Sequence, residues 1–278
     1  MVIVVLKIKA NFDLKSTITC GQIFRYIETD NEFIVIIKDR VISLREENKY
    51  IIVESNVEEN LESVVYDYFD LNRDYDLIEK NIVSCDEKIK DALVFSRGLK
   101  MIHQDPFETL ISYIISQNNR VPSIAKSLNL ISEKYGKKVS FNGKDYYLFP
   151  SADDLMKLSV EDFRNCKVGF RDKYLYEIIR SIENKSLDLD KIYNMNSVDA
   201  LNYLISFKGI GNKVASCILL FAYQKFDVYP IDTWVKKYMR DDYNIEGESN
   251  IKNFTLNTYK EYSGLAIQYM FNYKRNKK

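Results

Sequence analysis

The sequence predicts an α+β protein in two parts: an antiparallel β-rich part with a flanking helix over residues 1–97, and an all-helical part over residues 98–278. Three observations predict it. Short β-branched runs separated by polar turns occupy the chain up to about residue 55. Beyond residue 56 the apolar residues recur at helical spacing. Further on, a Gly-x-Gly turn joins two apolar helical runs, the pattern of a helical hairpin.

In the first part, Ile34-Val35-Ile36-Ile37, Val41-Ile42-Ser43-Leu44 and Tyr50-Ile51-Ile52-Val53 read as strands, with Lys38-Asp39-Arg40 as one of the turns. Gly21-Gln22-Ile23-Phe24-Arg25 falls in the same part, where the glycine reads as relief for a strand bend. Leu61, Val64, Val65, Tyr68 and Phe69 share one helix face, and residues 69–75 read as a polar loop. Helices follow from Ala92 to Gly98 and from Pro106 to Ser116, the second started by Asp105-Pro106 and closed by the polar run Gln117-Asn118-Asn119-Arg120. Residues 136–150, with Val139, Phe141, Tyr146 and Phe149, form an ordered excursion. Ser197 is an N-cap candidate for a helix through Leu201, Leu204 and Ile205. The hairpin spans about 204–215, and its second helix buries Val214, Ala215, Ile218, Leu219 and Ala222. Gly264 to Lys278 reads as a last helix that ends in Lys274, Arg275, Lys277 and Lys278.

Composition narrows the chemistry. The 278 residues carry 40 Lys+Arg against 40 Asp+Glu, so any attraction to a polyanion comes from a local patch and not from net charge. Cys20, Cys85, Cys166 and Cys217 are scattered, which fits free thiols in a reducing compartment better than disulfides or zinc. His103 is the only histidine, which removes histidine-based triads and His-rich metal sites. The opening MVIVVLKIKA is short, alternating and charged at Lys7, unlike a secretory leader, and no run reaches the ~18 apolar residues of a membrane span.

The hairpin carries the sharpest chemistry. Gly209 and Gly211 are expected to take positive φ and to leave amides uncovered, with Ile210 plugged into the core. A helix that starts after such a turn offers free N–H groups and partial positive charge to a phosphate. From Leu201 to Lys225 the chain holds Lys208, Lys213 and Lys225 and no acid, which suits non-sequence-specific contact with a nucleic-acid backbone. Lys213, Cys217 and Phe221 lie one turn apart on one face. A lysine there reads first as a solvated surface residue, whereas an amine against apolar walls loses hydration and becomes available as a nucleophile. Asp232, after Pro230-Ile231 and before Thr233-Trp234-Val235, reads as a helix N-cap, and capping takes only one of its two oxygens.

Hairpin, lysine and then Pro-x-Asp resemble the helix-hairpin-helix superfamily of DNA glycosylases, and within it the chain most resembles the 8-oxoguanine DNA glycosylase/lyases. Supporting matches run in order from Cys20-Gly21-Gln22-x-Phe24-Arg25 through Gln104-Asp105-Pro106 and Ser116-Gln117-Asn118-Asn119 to Gly264-x-Ala266 and Phe271. The superfamily's iron–sulfur members carry cysteines after the catalytic aspartate; none follows Cys217 here, so that cluster is excluded. The resemblance implies Lys213 as the Schiff-base nucleophile and Asp232 as its carboxylate partner. It implies that the Gly21 carbonyl meets the N7 proton of 8-oxoguanine and that Cys217 and Phe271 sandwich the extruded base. The family's Watson–Crick-edge glutamine falls on Ile267 in this register, with Gln268 one residue off. Asn118 would fill the gap in the duplex, and Phe170 would stack beside it. Arg171 would read the opposite base, where Ser123 replaces a second arginine of the mammalian-type enzymes and so weakens the preference for cytosine. Gly209, Gly211 and Trp234 complete the expected DNA contacts. The implied partner is double-stranded DNA containing 8-oxoguanine, bound by a monomer in a prokaryotic cytoplasm. No redox cofactor or catalytic metal is implied, although a structural cation on the hairpin carbonyls is. Two alternatives stay open at this point: a related glycosylase for alkylated or deaminated bases, and a non-catalytic DNA-binding module.

Overall fold

A computed structural model describes residues 4–9 and 12–277. Residues 1–3 and 10–11, which the strand reading of the N-terminal part includes, and Lys278 at the end of the last expected helix lie outside them. Strands β1 (Val4–Ile8), β2 (Tyr26–Glu28), β3 (Phe33–Ile37), β4 (Arg40–Glu47) and β5 (Tyr50–Ser55) form one antiparallel sheet in the order β1-β5-β4-β3-β2. The β4–β5 hairpin closes through Asn48-Lys49, both at positive φ (49° and 67°), the two-residue turn whose twist suits adjacent strands.

The strand reading needs one correction: α1 (Leu14–Thr19) lies within it, started by Asp13, whose Oδ1 accepts from the Ser16 amide at 2.6 Å. Gly21 therefore sits in a turn after a helix, at φ +93°, and relieves no strand bend. Inward residues of β3–β5, among them Val35, Ile42, Leu44 and Val53, pack on Leu14 and Ile18 of α1 and on Leu61, Val65 and Tyr68 of α2 (Leu61–Tyr68). The other face of the sheet is covered too. The excursion at 136–150 forms a two-stranded hairpin, β6 (Lys138–Phe141) and β7 (Lys144–Tyr147), whose Phe141 and Tyr146 pack on Ile34 and Val41. Burial on both faces accounts for the unbroken apolar run of β3.

The helical part begins before residue 98. Helices α3 (Tyr75–Cys85) and α4 (Lys90–Phe95) place Tyr75, Ile78, Ile82, Ala92 and Leu93 in the same core as the later helices. Helix α3 is absent from the sequence reading, yet its start is marked by Asp74, whose Oδ1 accepts from the Leu77 amide at 2.9 Å. Then come α5 (Pro106–Ser116), α6 (Val121–Tyr135), the short α7 (Ala152–Leu155) and α8 (Val160–Arg164), and α9 (Asp172–Glu183). The chain ends with α10 (Ser197–Ile205), α11 (Asn212–Tyr223), α12 (Thr233–Tyr243), α13 (Glu248–Tyr259) and α14 (Ser263–Asn276). Helix α11 runs through the middle of this core, buried from Val214 to Tyr223, against α5 and α10. No helix among the described residues is long and apolar enough to cross a membrane.

The two parts are joined by an extended strap, residues 100–104, and by one buried amide. Gln22 Nε2 donates to the Lys100 carbonyl (2.7 Å), and its Oε1 accepts from the Ile102 amide (2.8 Å). The Gln22 carbonyl accepts from Gln104 Nε2 (2.9 Å) and from the Tyr113 hydroxyl (3.1 Å). Along the strap, the His103 amide donates to Tyr68 of α2 and the Gln104 amide to Phe221 of α11, each at 2.8 Å. The turn bearing Gly21 is thereby fixed to both parts. Replacement Gln22→Leu leaves a buried N–H and a buried carbonyl without partners, and should lower stability by about 2–4 kcal/mol in urea unfolding. A loss below about 0.5 kcal/mol, the level of an ordinary surface substitution, would show that these bonds fix nothing.

Candidate active site

The hairpin is built as its sequence requires, with two changes of detail. Helix α10 is capped by Asn196, which accepts from the Asp199 amide (2.9 Å), and Ser197 is its first residue. Gly209 takes φ +91°, and a β-carbon there would lie 2.8 Å from the Tyr174 side chain, while Ile210 is buried beside it. Gly211 does not take positive φ: at −94° it is ordinary extended backbone, and a β-carbon there would meet nothing within 4 Å. What Gly211 supplies is open space before the first turn of α11, which has no side-chain cap. The patch is less basic in space than along the chain, since Lys208 pairs with Glu177 of α9 at 2.8 Å.

Beyond this turn lies a recess of about 450 Å³ between the Gly21 turn and helices α5, α11, α12 and α14, within the size range of small-molecule sites. Its lining includes Gly21, Asn118, Gly211, Lys213, Cys217, Asp232, Trp234, Ile267, Gln268 and Phe271. Lys213 and Asp232 also border a second groove, of about 670 Å³, between α10 and α13, so the pair stands on the ridge between the two. Asp232 is half-buried. Its Oδ1 accepts from the Trp234 and Val235 amides, both at 2.9 Å, and caps α12. No donor among the described residues reaches Oδ2. Lys213 corrects an expectation: its side chain is exposed at the rim, not sunk between apolar walls, because it occupies the first turn of α11 where that helix emerges. It makes no ion pair within 4.0 Å among the described residues.

Below the amine the walls are largely apolar. Cys217 is buried, and burial pushes its thiol up to about 12; the Lys213 charge works against that rise and the Asp232 charge adds to it. Phe221 stacks on Tyr113 at the floor, with centroids 5.6 Å apart. Across the opening, a β-carbon on Gly21 would come within 3.4 Å of the Phe271 ring. No donor among the described residues reaches the Gly21 carbonyl. On α14, Ile267 offers only apolar surface, whereas Gln268 is 4% exposed, and its Nε2, close to the Cys20 thiol, has no nitrogen or oxygen partner among the described residues. Such an amide in a recess is costly until a ligand satisfies it.

The remaining expected residues line the outer edge or sit behind it. Helix α5 is capped by the side chains of Gln117 and Asn119, which donate to Ile114 (3.1 Å) and Ile115 (3.1 Å) carbonyls. Asn118 between them is exposed at φ +48°, with its side chain free of hydrogen bonds. Gln117 Nε2 also donates to the Gly209 carbonyl (2.9 Å), and Ile210 donates to the Phe207 carbonyl (3.1 Å). A cation on these hairpin carbonyls would share oxygens that already accept one bond. Phe170 is 58% exposed, set edge-on against Tyr174. Arg171, expected to face the opposite base, is buried instead; it donates to the carbonyls of Val168 (2.9 Å), Gln117 (2.8 Å) and Asn118 (3.1 Å). Ser123 lies exposed in the first turn of α6, outside the recess. Arg275 lines the recess, although the sequence marked it only as part of a basic helix end.

An amine and a half-free carboxylate beside a base-sized recess, at the mouth of a helical hairpin, define a helix-hairpin-helix DNA N-glycosylase. Residues 4–110 match the family model described as the 8-oxoguanine DNA glycosylase N-terminal domain. The 8-oxoguanine glycosylase/lyase of Clostridium acetobutylicum, solved with DNA, is 38% identical over 98% of this chain and 97% of that one, with a TM-score of 0.92. A probable N-glycosylase/DNA lyase of Methanothermobacter thermautotrophicus is 29% identical over 80% of this chain and 76% of its own length. The N-glycosylase/DNA lyase of Saccharomyces cerevisiae is 26% identical over 87% and 71% respectively. This chain belongs to the 8-oxoguanine DNA glycosylase/lyase family.

With its titration lifted to about 12, the Cys217 thiol stays protonated across the neutral range. In native protein at pH 8, iodoacetamide should therefore modify the exposed Cys85 at least ~10-fold faster than Cys217 when the two peptides are followed by mass spectrometry. Equal rates would mean that the thiol is neither buried nor neutral.

Proposed function

We propose that this protein removes 8-oxoguanine from duplex DNA and then cuts the strand on the 3′ side of the lesion. The observation that carries the reading is the joint presence of Lys213 and the free Oδ2 of Asp232 at the rim of one recess, whose walls are Cys217, Phe271 and Gly21. The damaged nucleotide turns out of the stack into that recess. Gly21 accepts from N7–H, which guanine lacks, and the base lies between Cys217 and Phe271. Gln268, with its unsatisfied buried amide, is a better reader of the Watson–Crick edge than Ile267.

As the C1′–N9 bond lengthens, Oδ2 of Asp232 stabilises the positive charge gathering on the sugar and orients or deprotonates the amine. DNA covering the rim removes water from around Lys213, which supplies the desolvation that the free protein lacks. Lys213 Nζ bonds to C1′ while the base departs with the electron pair of the broken bond. Opening of the sugar ring gives a Schiff base, and loss of a C2′ proton then expels the 3′ phosphate. Neither step calls for a redox cofactor or a catalytic metal. Asn118 fills the vacated position, Phe170 and Trp234 stack at the duplex edge, and the free amides after Gly211 hold a backbone phosphate. Arg171 acts on the opposite base through the Asn118 loop that it pins. Ser123 is too short for a bidentate contact with cytosine, so discrimination at that position is weak. Such work requires access to DNA, in keeping with the prokaryotic cytoplasm expected from the sequence.

Single-turnover assays on duplexes with cytosine, adenine or thymine opposite 8-oxoguanine test the reading. Wild type should release base from all three within about 100-fold of one another, given that one good bidentate contact is missing. Lys213→Gln should abolish nicking, and Asp232→Asn should slow base release by about 10²–10³-fold with duplex affinity nearly unchanged. Comparable turnover by Asp232→Asn, or no base release by wild type from any duplex, would refute it.

A further inference from the structure

Arg275 is the one charged residue lining the recess whose chemistry the proposed reaction leaves unused. It lies on α14 one turn beyond Phe271, half-buried, with its guanidinium carbon 5.6 Å from the centre of that ring. Its neighbours are occupied: Lys274 pairs with Asp241 and Asp242, and Lys277 contacts the Tyr273 hydroxyl. Arg275 has no ion pair and no hydrogen bond among the described residues. One terminal nitrogen, Nη1, occupies the space a β-carbon of Gly21 would need, so the guanidinium packs directly on the Gly21 backbone. A free cation on a binding-site wall, packed on a residue whose carbonyl is unpaired, puts a donor and an acceptor on the same side of the recess.

The edge of 8-oxoguanine that differs from guanine presents the complementary pair, an N7–H donor beside a C8=O acceptor. We infer that Arg275 donates to O8 of the extruded base while the adjacent Gly21 carbonyl accepts from N7–H, so the lesion's altered edge is read at two points. The inference rests on the reaction proposed above. It adds a second effect: when the C1′–N9 pair departs with the base, negative charge spreads to O8, and the guanidinium is already in place to meet it. Guanine, with C8–H and an N7 acceptor, would face the cation with a non-acceptor and the carbonyl with a lone pair.

The alternative is a contact from Arg275 to a DNA phosphate, and the two separate on a substrate that has no base. Single-turnover base release from 8-oxoguanine paired with cytosine is compared with nicking of a duplex carrying a preformed abasic site. Arg275→Gln should lower base release by about 10- to 100-fold, the scale of one charge-assisted hydrogen bond, and leave abasic nicking within about twofold. Arg275→Lys, which keeps the charge and a donor, should recover part of the loss. Equal loss on both substrates would put Arg275 on the phosphates or in a structural role and overturn the inference, as would no loss on either. Wild type that nicks the abasic duplex but shows equal losses in the variant sinks only this inference. Wild type inactive on both substrates sinks the proposed function and the inference with it.

Discussion

The divided use of one carboxylate is the constraint around which the site is built. Oδ1 of Asp232 holds the first turn of α12 through two 2.9 Å bonds, which fixes the residue's backbone and rotamer. Oδ2 is consequently presented in one place, without a donor among the described residues, at the rim that Lys213 also occupies. A carboxylate held by a helix cap is preorganised, so little reorganisation is needed when positive charge develops on a sugar before it. The amine opposite is not preorganised to the same degree. It is exposed in the free protein, and the substrate itself must complete its surroundings.

The surfaces around that rim are tied to one another more than to their own elements. Gln117 caps α5 and also grips the hairpin at Gly209, while Arg171 binds the carbonyls of Gln117 and Asn118. Asn118, the Gly209 turn and the segment bearing the exposed Phe170 are thus tied to one another by shared hydrogen bonds. On the other side of the recess, Gln22 and the 100–104 strap hold Gly21 in register with α5 and α11. A wall contributed by the β-rich part is thereby fixed against the helices of the other part that carry Lys213 and Asp232. Bonds of this kind, buried and between distant segments, tolerate loss of a partner poorly.

Much of this was legible in the chain. Gly209 with the lysine after it, Pro106 at a helix start and the β-branched runs of β3–β5 are local signals, and local chemistry decides them. Asp232 was legible as a helix cap, and the cap takes one oxygen and leaves the other for the role proposed for it. Helices α1 and α3 were missed: their Asp caps were present, but α1 is a single short turn-and-a-half and α3 mixes its apolar face with charge. The exposure of Lys213, the burial of Arg171 and the extended φ of Gly211 follow from how helices pack, which no spacing rule carries. The same holds for Gln268, whose place in the recess lining beside Ile267 is set by how α14 packs. Arg275 was visible only as one of several cations, and its lack of a partner is a property of the fold.

The central claim is that the amine of Lys213 forms a covalent bond to deoxyribose C1′, and reduction of that bond tests it most directly. Wild-type protein is incubated with an 8-oxoguanine duplex in the presence of borohydride, and the cross-linked peptide is sequenced by mass spectrometry. The account predicts a stable protein–DNA adduct located on Lys213. Base release without any adduct, or an adduct on a different amine, would contradict it.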